Sequence, residues 1–229
     1  MQNRPNRIAG ERWGWALRRI REIGQREGTR GLVYRTLALI GYRTVGRYQR
    51  ALDAPIELAS ARIPVEIGRL TAEHVDEYIA FRRGATPLQF LSRLEEGHCC
   101  YAARHDGQLA STAWVAERSA WVEALGQHIS LDQGEMYIFD AFTLSDYRGQ
   151  HIQPRIVSTI LLDFKAAGFR QAVSLIAPYN RSNIIVRERA GFRRTGAINC
   201  IKAGPLSWTF FRRQRGSSRS RQEQTVTSR

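Results

Sequence analysis

Long apolar runs are absent from this sequence. No stretch of its 229 residues approaches the roughly 20 consecutive apolar residues that a membrane-spanning helix needs. The first twenty residues, MQNRPNRIAGERWGWALRRI, also lack the apolar segment and the small-residue cleavage site of a secretion signal. We therefore expect neither a spanning helix nor an exported protein.

Cysteine is scarce, and its pattern excludes a disulfide scaffold. The three cysteines, Cys99, Cys100 and Cys200, are odd in number, show no CxxC spacing and include an adjacent pair that cannot readily form a relaxed disulfide. His74, His98 and His105 show no metal-ligand spacing with the cysteines or with each other. These features indicate reduced thiols in a cytoplasmic protein, and they predict no metal site.

Acidic residues are few at the two ends of the chain, where the whole net charge of +14 resides. Residues 1–50 contain twelve arginines and three glutamates, residues 212–229 contain six arginines and one glutamate, and the segment between them is neutral. The basic ends predict attraction to phosphate-rich partners, either anionic lipid or nucleic acid. They say little about the substrate of the central segment.

The first part of the chain has helical periodicity. Apolar residues at three- and four-residue spacing from Trp13 to Ile23, then a second run over residues 32–40, predict two basic helices. We interpret residues 1–60 as a basic helical extension, with a connector at 51–60, and residues 212–229 as a disordered basic tail. Such helices either contact the anionic inner face of a membrane peripherally or dock on the chain's own domain.

Between these ends, strand signals alternate with helix signals. The order over residues 62–211 is strand, two helices, hairpin, strand, helix, strand, helix and a final pair of strands. Thr86-Pro87 combines a helix N-cap with proline at the first helical position, and Asp106-Gly107 between two apolar runs predicts a tight hairpin turn. This order predicts a mixed sheet with helices on both faces.

The segment from Phe142 to Ile152 links a predicted strand to a predicted helix through a short polar turn. Unpaired backbone N–H groups and the positive end of the helix dipole favour a phosphate at such a helix start, and Arg148 adds a fixed charge. Pro154 is compatible with this interpretation, because a proline in the first turn gives up an N–H that has no helical partner. The alternative is an ordinary strand-to-helix turn with a surface arginine.

Two segments carry a family resemblance. Tyr147-Arg148-Gly149, after a strand and before an apolar helix, resembles the acetyl-CoA pyrophosphate loop of the GNAT acetyltransferases. The segment from Asn180 to Phe192 resembles the family's later motif, an asparagine after a strand and a Gly-Phe pair that closes the next helix. Both occur in the expected order and at about the expected separation, so we interpret residues 61–211 as a GNAT-like acyltransferase domain.

The resemblance implies a fold and a coenzyme site. The fold is α/β (α+β), with a mixed, mostly antiparallel central sheet, helices on both faces, and a fourth strand that splays from the fifth. Acetyl-CoA is the implied acyl donor, and its pantetheine arm would enter the gap between these strands. The strand backbone that would pair with this arm belongs to Phe142, Thr143 and Leu144. The pyrophosphate loop would comprise Arg148, Gly149, Gln150, His151, Ile152 and Gln153. The one later side chain is that of Asn180.

The chain departs from the family pattern at three site positions. His151 and Gln153 stand where the family loop has small residues that let the backbone approach the pyrophosphate, although His151 can itself donate to a phosphate. Arg187 stands where many members have a tyrosine that protonates the leaving thiolate. An arginine is a poor proton donor at neutral pH, so we interpret Arg187 as a coenzyme-binding residue that pairs with a phosphate or stabilises the thiolate.

Asp140 is the candidate general base, because strict strand alternation would place its carboxylate on a buried face with Ile138 and Phe142. The alternative is a structural carboxylate that holds an arginine or backbone amides. Glu135 and His128 are further candidates.

Two hypotheses follow for function. The first is an enzyme that transfers an acetyl or similar group from coenzyme A to a primary amine of a small molecule or an envelope precursor, by direct attack on the thioester. The second is a catalytically degenerate binding module whose basic ends contact nucleic acid or anionic membrane. Binding to nucleic acid weakens steeply with salt, whereas binding in a buried coenzyme site does not.

Overall fold

The computed structural model describes residues 41–203 and 206–213, together with Val33 and Leu37 as isolated helical positions. The remainder of the predicted N-terminal helices and the tail beyond residue 213 lie outside the described residues. The strands within the described part are β1 (Tyr42–Ala51), β2 (Glu66–Leu70), β3 (Cys99–His105), β4 (Gln108–Ala116), β5 (Ser119–Val122), β6 (Gln127–Ser130), β7 (Glu135–Thr143), β8 (Gln171–Ile176), β9 (Arg193–Ala203) and β10 (Leu206–Arg213). The helices are α1 (Val75–Phe81), α2 (Pro87–Glu95), α3 (Ile152–Ala166) and α4 (Arg181–Arg189).

Eight strands form one sheet in the order β10-β9-β1-β8-β7-β4-β3-β2, and β5 pairs with β6 in a separate hairpin. All neighbouring described strands are antiparallel except β7 and β8, which are parallel. Successive residues of β3 pack into different clusters, Tyr101 with α3 and Cys100 with α1 and α2. Because successive strand residues point to opposite faces, these helices cover the two faces of the sheet. The predicted fold class is therefore confirmed.

Local signals specify several of these elements as predicted. Thr86 caps α2 by accepting a hydrogen bond from the Gln89 N–H at 3.2 Å. The β3–β4 turn has positive φ angles at Asp106 and Gly107, of 50° and 78°, which a tight hairpin turn requires. Gly168, with φ of 86°, follows the end of α3.

β1 corrects the assignment of residues 42–51 to a basic extension outside the central domain. Residues 42–51 form a strand in the middle of the sheet, where Val45 is opposite Ile198 of β9 and Gly46 is opposite Ile176 of β8. Val45 and Tyr48 are buried in it. The partners of β1 lie far away in the sequence, so local periodicity could not reveal the strand. Arg212 and Arg213, which were assigned to the tail, are the end of β10.

The parallel pair separates soon after it begins. β7 and β8 pair only over Glu135–Tyr137 and Gln171–Val173. At the next position, the Ser174 hydroxyl donates to the Ile138 carbonyl at 3.1 Å, which replaces a backbone bond of the ladder. We call the place where Ile138 and Ser174 meet the fork. The strands are splayed beyond it, as the resemblance implies.

A β-bulge interrupts β7 beyond the fork. Trp114 of β4 is opposite Phe139, and Thr112 is opposite Phe142, so two residues of β7 stand against one residue of β4. One of the two is Asp140, with φ of 43°. The strict alternation from which we predicted a shared face for Ile138, Asp140 and Phe142 is therefore wrong here.

Candidate functional site

A cleft of about 660 Å³ lies at the end of β7 and the starts of α3 and α4. It includes most of the predicted coenzyme residues, but Leu144, Gln150 and Arg187 are not in its lining. The residues that line it are Ala141, Phe142, Thr143, Tyr147, Arg148, Gly149, His151, Ile152, Gln153, Pro154, Asn180, Ser182, Asn183, Val186 and Arg189.

The loop before α3 forms one wall of this cleft. A single 3-10 turn at Ser145–Tyr147 follows β7, and two residues with positive φ angles, Gly149 at 81° and His151 at 58°, lead into the helix at Ile152. The first N–H groups of a helix have no acceptor within the helix, and the helix dipole makes this end positive. Arg148, which is exposed, adds a full charge at the same wall. The site is therefore suited to an anionic group.

His151 adopts a conformation that glycine adopts without steric cost. Its φ of 58° lies in the left-handed region, which few residues other than glycine occupy, with asparagine, aspartate and histidine the commonest among them. The family's small residue at this position therefore has a conformational reason as well as a steric one. Here the exposed imidazole lies at the cleft wall, beside the start of α3.

Gln153 is tied to the sheet. Its side-chain amide nitrogen lies within hydrogen-bonding distance of the Ser111 hydroxyl (2.8 Å), the Thr112 carbonyl (2.9 Å) and the Phe142 carbonyl (3.2 Å). These contacts hold the side chain against β4 and β7. Gln153 therefore links the start of α3 to the bulged end of β7.

The three strand residues predicted to pair with pantetheine differ in availability. The Leu144 N–H donates to the Ala110 carbonyl at 3.1 Å, and the Phe142 carbonyl accepts from Ser111 at 2.9 Å as well as from Gln153. Thr143 is opposite Ser111 in the β4–β7 pairing, and its carbonyl accepts a long 3.4 Å bond from the Arg148 side chain. Thr143 is therefore the best placed of the three to pair with a ligand.

Asn180 has a structural role at the other wall. Its side-chain oxygen accepts from the Asn183 N–H at 3.3 Å and from the Ser182 hydroxyl at 3.2 Å, so it caps α4 while it lines the cleft. Arg189, an exposed residue of α4, is a second cation in the lining that sequence reasoning missed. No sequence motif marks it, because only the packing of α4 brings it to the same cleft as Arg148.

Arg187 is turned into the protein interior. It is 1% exposed, its Nε donates to the Ser174 hydroxyl at 2.9 Å, and its guanidinium carbon lies 5.8 Å from the centre of the Phe192 ring. Burial lowers the pKa of this guanidinium to about 10. The family's tyrosine position is therefore filled by a cation at the fork.

The comparisons with known proteins match this architecture. A GCN5-related N-acetyltransferase from Sphaerobacter thermophilus superposes with a TM-score of 0.52 and 14% identity over 75% of this chain and 55% of that one. A GCN5-related glucosamine N-acetyltransferase region of a fungal multi-domain β-N-acetylglucosaminidase gives 0.53 and 13% over 72% of this chain and 22% of that one. The chain has the GNAT fold. No family model matches the sequence, and no curated protein matches it significantly.

Asp140 lies at the bulge of β7, the strand that corresponds to the fourth strand of the GNAT fold. One carboxylate oxygen accepts from Arg82 at 2.5 Å and the other from Arg93 at 2.7 Å. Arg82 also lies over the ring of Phe142, with its guanidinium carbon 4.2 Å from the ring centre. Both carboxylate oxygens already have charged donors, as the structural alternative for Asp140 requires.

The other candidate bases lie away from the cleft lining. Glu135 begins β7, is buried, and pairs with Arg47 of β1 at 2.9 Å. His128 lies on β6, where its ring is 5.2 Å from that of Trp121. Neither residue lines the cleft.

Among the described residues, no group of three or more histidines, cysteines, aspartates or glutamates could hold a metal ion. In the same part of the chain, no helix is both long enough and apolar enough to cross a membrane.

Proposed function

We propose that this chain is an acyl-CoA-dependent N-acyltransferase that uses acetyl-CoA and acts on a primary amine of a small molecule or an envelope precursor. The observation that supports this most directly is the cleft, which runs from the end of β7 to the starts of α3 and α4. In the family that the chain resembles, the pantetheine arm pairs with strand backbone and the pyrophosphate binds at a helix start. The cleft offers both in one continuous lining.

Each wall of the cleft has a chemical role in this proposal. The start of α3, with Arg148, binds the pyrophosphate, and Arg189 adds a second positive charge. Thr143 pairs with the pantetheine arm. The bulge leaves backbone groups near Ala141 without partners on β4, and Ala141 lines the cleft, so an N–H here stabilises the oxyanion that forms during transfer.

The acceptor amine attacks the thioester carbonyl from the side of α1 and α2 in this proposal. Arg82 and Arg93 lie on that side and bracket the bulge through Asp140. The fungal relative with a similar fold is a glucosamine N-acetyltransferase region, which supports an amine on a small molecule as the acceptor.

Isothermal titration with acetyl-CoA tests the proposal. We expect saturable one-to-one binding to the full-length protein, and an affinity at least tenfold lower for Arg148→Ala, because a charge-assisted contact to phosphate is lost. Arg118→Ala is the matched control, since Arg118 is an exposed arginine outside the cleft lining. Absence of binding by the folded wild-type protein would contradict the proposal.

The basic ends support a second candidate function, a GNAT-fold module that binds nucleic acid or anionic membrane. Repeating the titration in high salt, beside titrations with duplex DNA and with anionic vesicles, separates the two. Coenzyme affinity should persist in high salt, while binding of the basic ends should fall steeply. Acetyl-CoA binding that disappears together with DNA or vesicle binding would favour the second function.

A further inference from the structure

Arg187 is a buried cation without a counter-charge. No carboxylate of the described residues forms an ion pair with it, although five other arginine–carboxylate pairs occur there. Its Nε is bonded to Ser174, but its Nη1 is buried and has no hydrogen-bond partner among the described residues. An unpaired buried charge is costly, so its presence here needs an explanation.

The guanidinium lies at the fork. Ser174, which accepts from Arg187, donates to the Ile138 carbonyl where the β7–β8 ladder ends. Arg187 belongs to α4, whose residues Asn183, Val186 and Arg189 line the cleft. The unpaired cation is therefore at the inner end of the opening between the strands, just behind the cleft wall.

The surroundings of Arg187 hold few titratable groups. Tyr137 of β7 interacts electrostatically with the guanidinium. Its other neighbours are the Ser174 hydroxyl of β8 and the ring of Phe192, the residue before β9. Burial raises the pKa of the Tyr137 phenol, so this group is neutral at physiological pH and cannot be the counter-ion. The charge of Asp140 also raises the pKa of Tyr137, and the charge of Arg93 lowers it. No neighbour on these elements neutralises the guanidinium.

A coenzyme phosphate is not the partner that this position fits. The exposed cations Arg148 and Arg189 line the cleft, whereas Arg187 lies behind the lining at the fork. In the proposed function, on which this step rests, the thioester lies beside Ala141, the lining residue of β7 that is nearest to the fork in the sequence. We propose that Arg187 provides the counter-charge for the coenzyme A thiolate that leaves during acyl transfer.

The reaction balances without a proton donor at the sulfur. The amine nitrogen forms a bond to the thioester carbonyl carbon, the carbon–sulfur bond breaks, and its electron pair remains on sulfur as a thiolate. The proton lost by the amine passes to solvent. Arg187 is suited to this chemistry because a fixed positive charge in a dry site stabilises an anion more strongly than it does in water.

The test compares free coenzyme A with acetyl-CoA as ligands of the full-length wild-type protein across a pH series. If the site prefers the thiolate, the affinity for coenzyme A rises with pH, by up to about tenfold per pH unit below the pKa of the free thiol. Acetyl-CoA has no thiol, so effects of pH on the phosphates or on His151 cancel in the ratio of the two affinities. A ratio that stays constant with pH, while acetyl-CoA binds, overturns the role of Arg187 and leaves the proposed function intact.

Variants then assign the effect to this residue. Arg187→Met should bind acetyl-CoA within about threefold of wild type, lose the pH dependence of the ratio, and lower kcat by roughly 10²-fold or more. Arg187→Lys, which keeps a charge, should retain part of the pH dependence and part of the wild-type kcat. Circular dichroism is the folding control. Replacing an unpaired buried cation by an apolar side chain should not weaken the fold. An Arg187→Met protein that keeps the wild-type pH dependence overturns the proposal.

Discussion

Asp140 has three unusual features: a positive φ, two arginine partners and a place at the bulge of β7. We expect Asp140→Asn to lower the free energy of unfolding by about 1–3 kcal/mol, because two partly buried guanidinium groups lose their anion. Asparagine tolerates the left-handed conformation, so the substitution changes the charge and not the backbone. Urea denaturation measures the change.

The matched control is Asp106→Asn, at another aspartate with positive φ whose side chain is 89% exposed. It should change the unfolding free energy by no more than about 0.5 kcal/mol. If Asp140→Asn is as stable as wild type but has lost acyl transfer, the predicted role as general base is favoured over the structural role.

The bulge explains why Asp140 was difficult to interpret from the sequence. A carboxylate at a strand position that alternation makes buried was an informative signal, and it correctly drew attention to the residue. The two arginines, Arg82 at the end of α1 and Arg93 in α2, are distant from Asp140 in the sequence. The extra residue in β7 is visible only from the pairing of β7 with β4. Residue identity indicated importance, but the partners decide the role.

At the scale of elements, α3 is the part most completely specified by local signals. The polar turn before it and the proline in its first turn predicted its start, and the helix begins at Ile152. The exception is its N-cap, His151, which contributes no side-chain capping bond and has φ of 58°. The backbone conformation at position 151 favours a small residue, but the chain has a histidine there.

We expect His151→Gly to raise the free energy of unfolding by about 1 kcal/mol, because glycine adopts the left-handed conformation without strain. Gln150→Gly is the control; Gln150 has no positive φ, so glycine there should lower stability. Thermal unfolding measures both. A destabilised His151→Gly would contradict the strain argument, and a tenfold loss of acetyl-CoA affinity in it would show that the imidazole donates to a phosphate.

At the scale of the whole molecule, β1 ties the start of the described chain into the centre of the sheet. It is paired on both sides, with β8 and with β9, so the β9–β10 hairpin connects to the rest of the sheet through it. The segment before the GNAT-like domain is therefore not a simple appendage. Residues 42–51 belong to the fold itself.

Val45→Asp tests this organisation. Val45 is fully buried between β8 and β9, and an aspartate there would place an unpaired charge in the core, so we expect a loss of more than about 3 kcal/mol. Ala51→Asp, at the exposed end of the same strand, should have a small effect. Urea denaturation with near-ultraviolet circular dichroism compares them. Wild-type stability of Val45→Asp would contradict a central position for β1.

The sequence by itself determined the features that depend on near neighbours: the hairpin at Asp106-Gly107, the start of α3, the Gly-Phe pair that closes α4, and the loop around Arg148. These rest on turn conformation, capping and apolar spacing, which act over a few residues. Only the tertiary structure decided the place of β1, the partners of Asp140, the arrival of Arg189 at the cleft and the burial of Arg187. Each of these depends on contacts between segments far apart in the chain, and burial and charge pairing are set by such contacts rather than by local pattern.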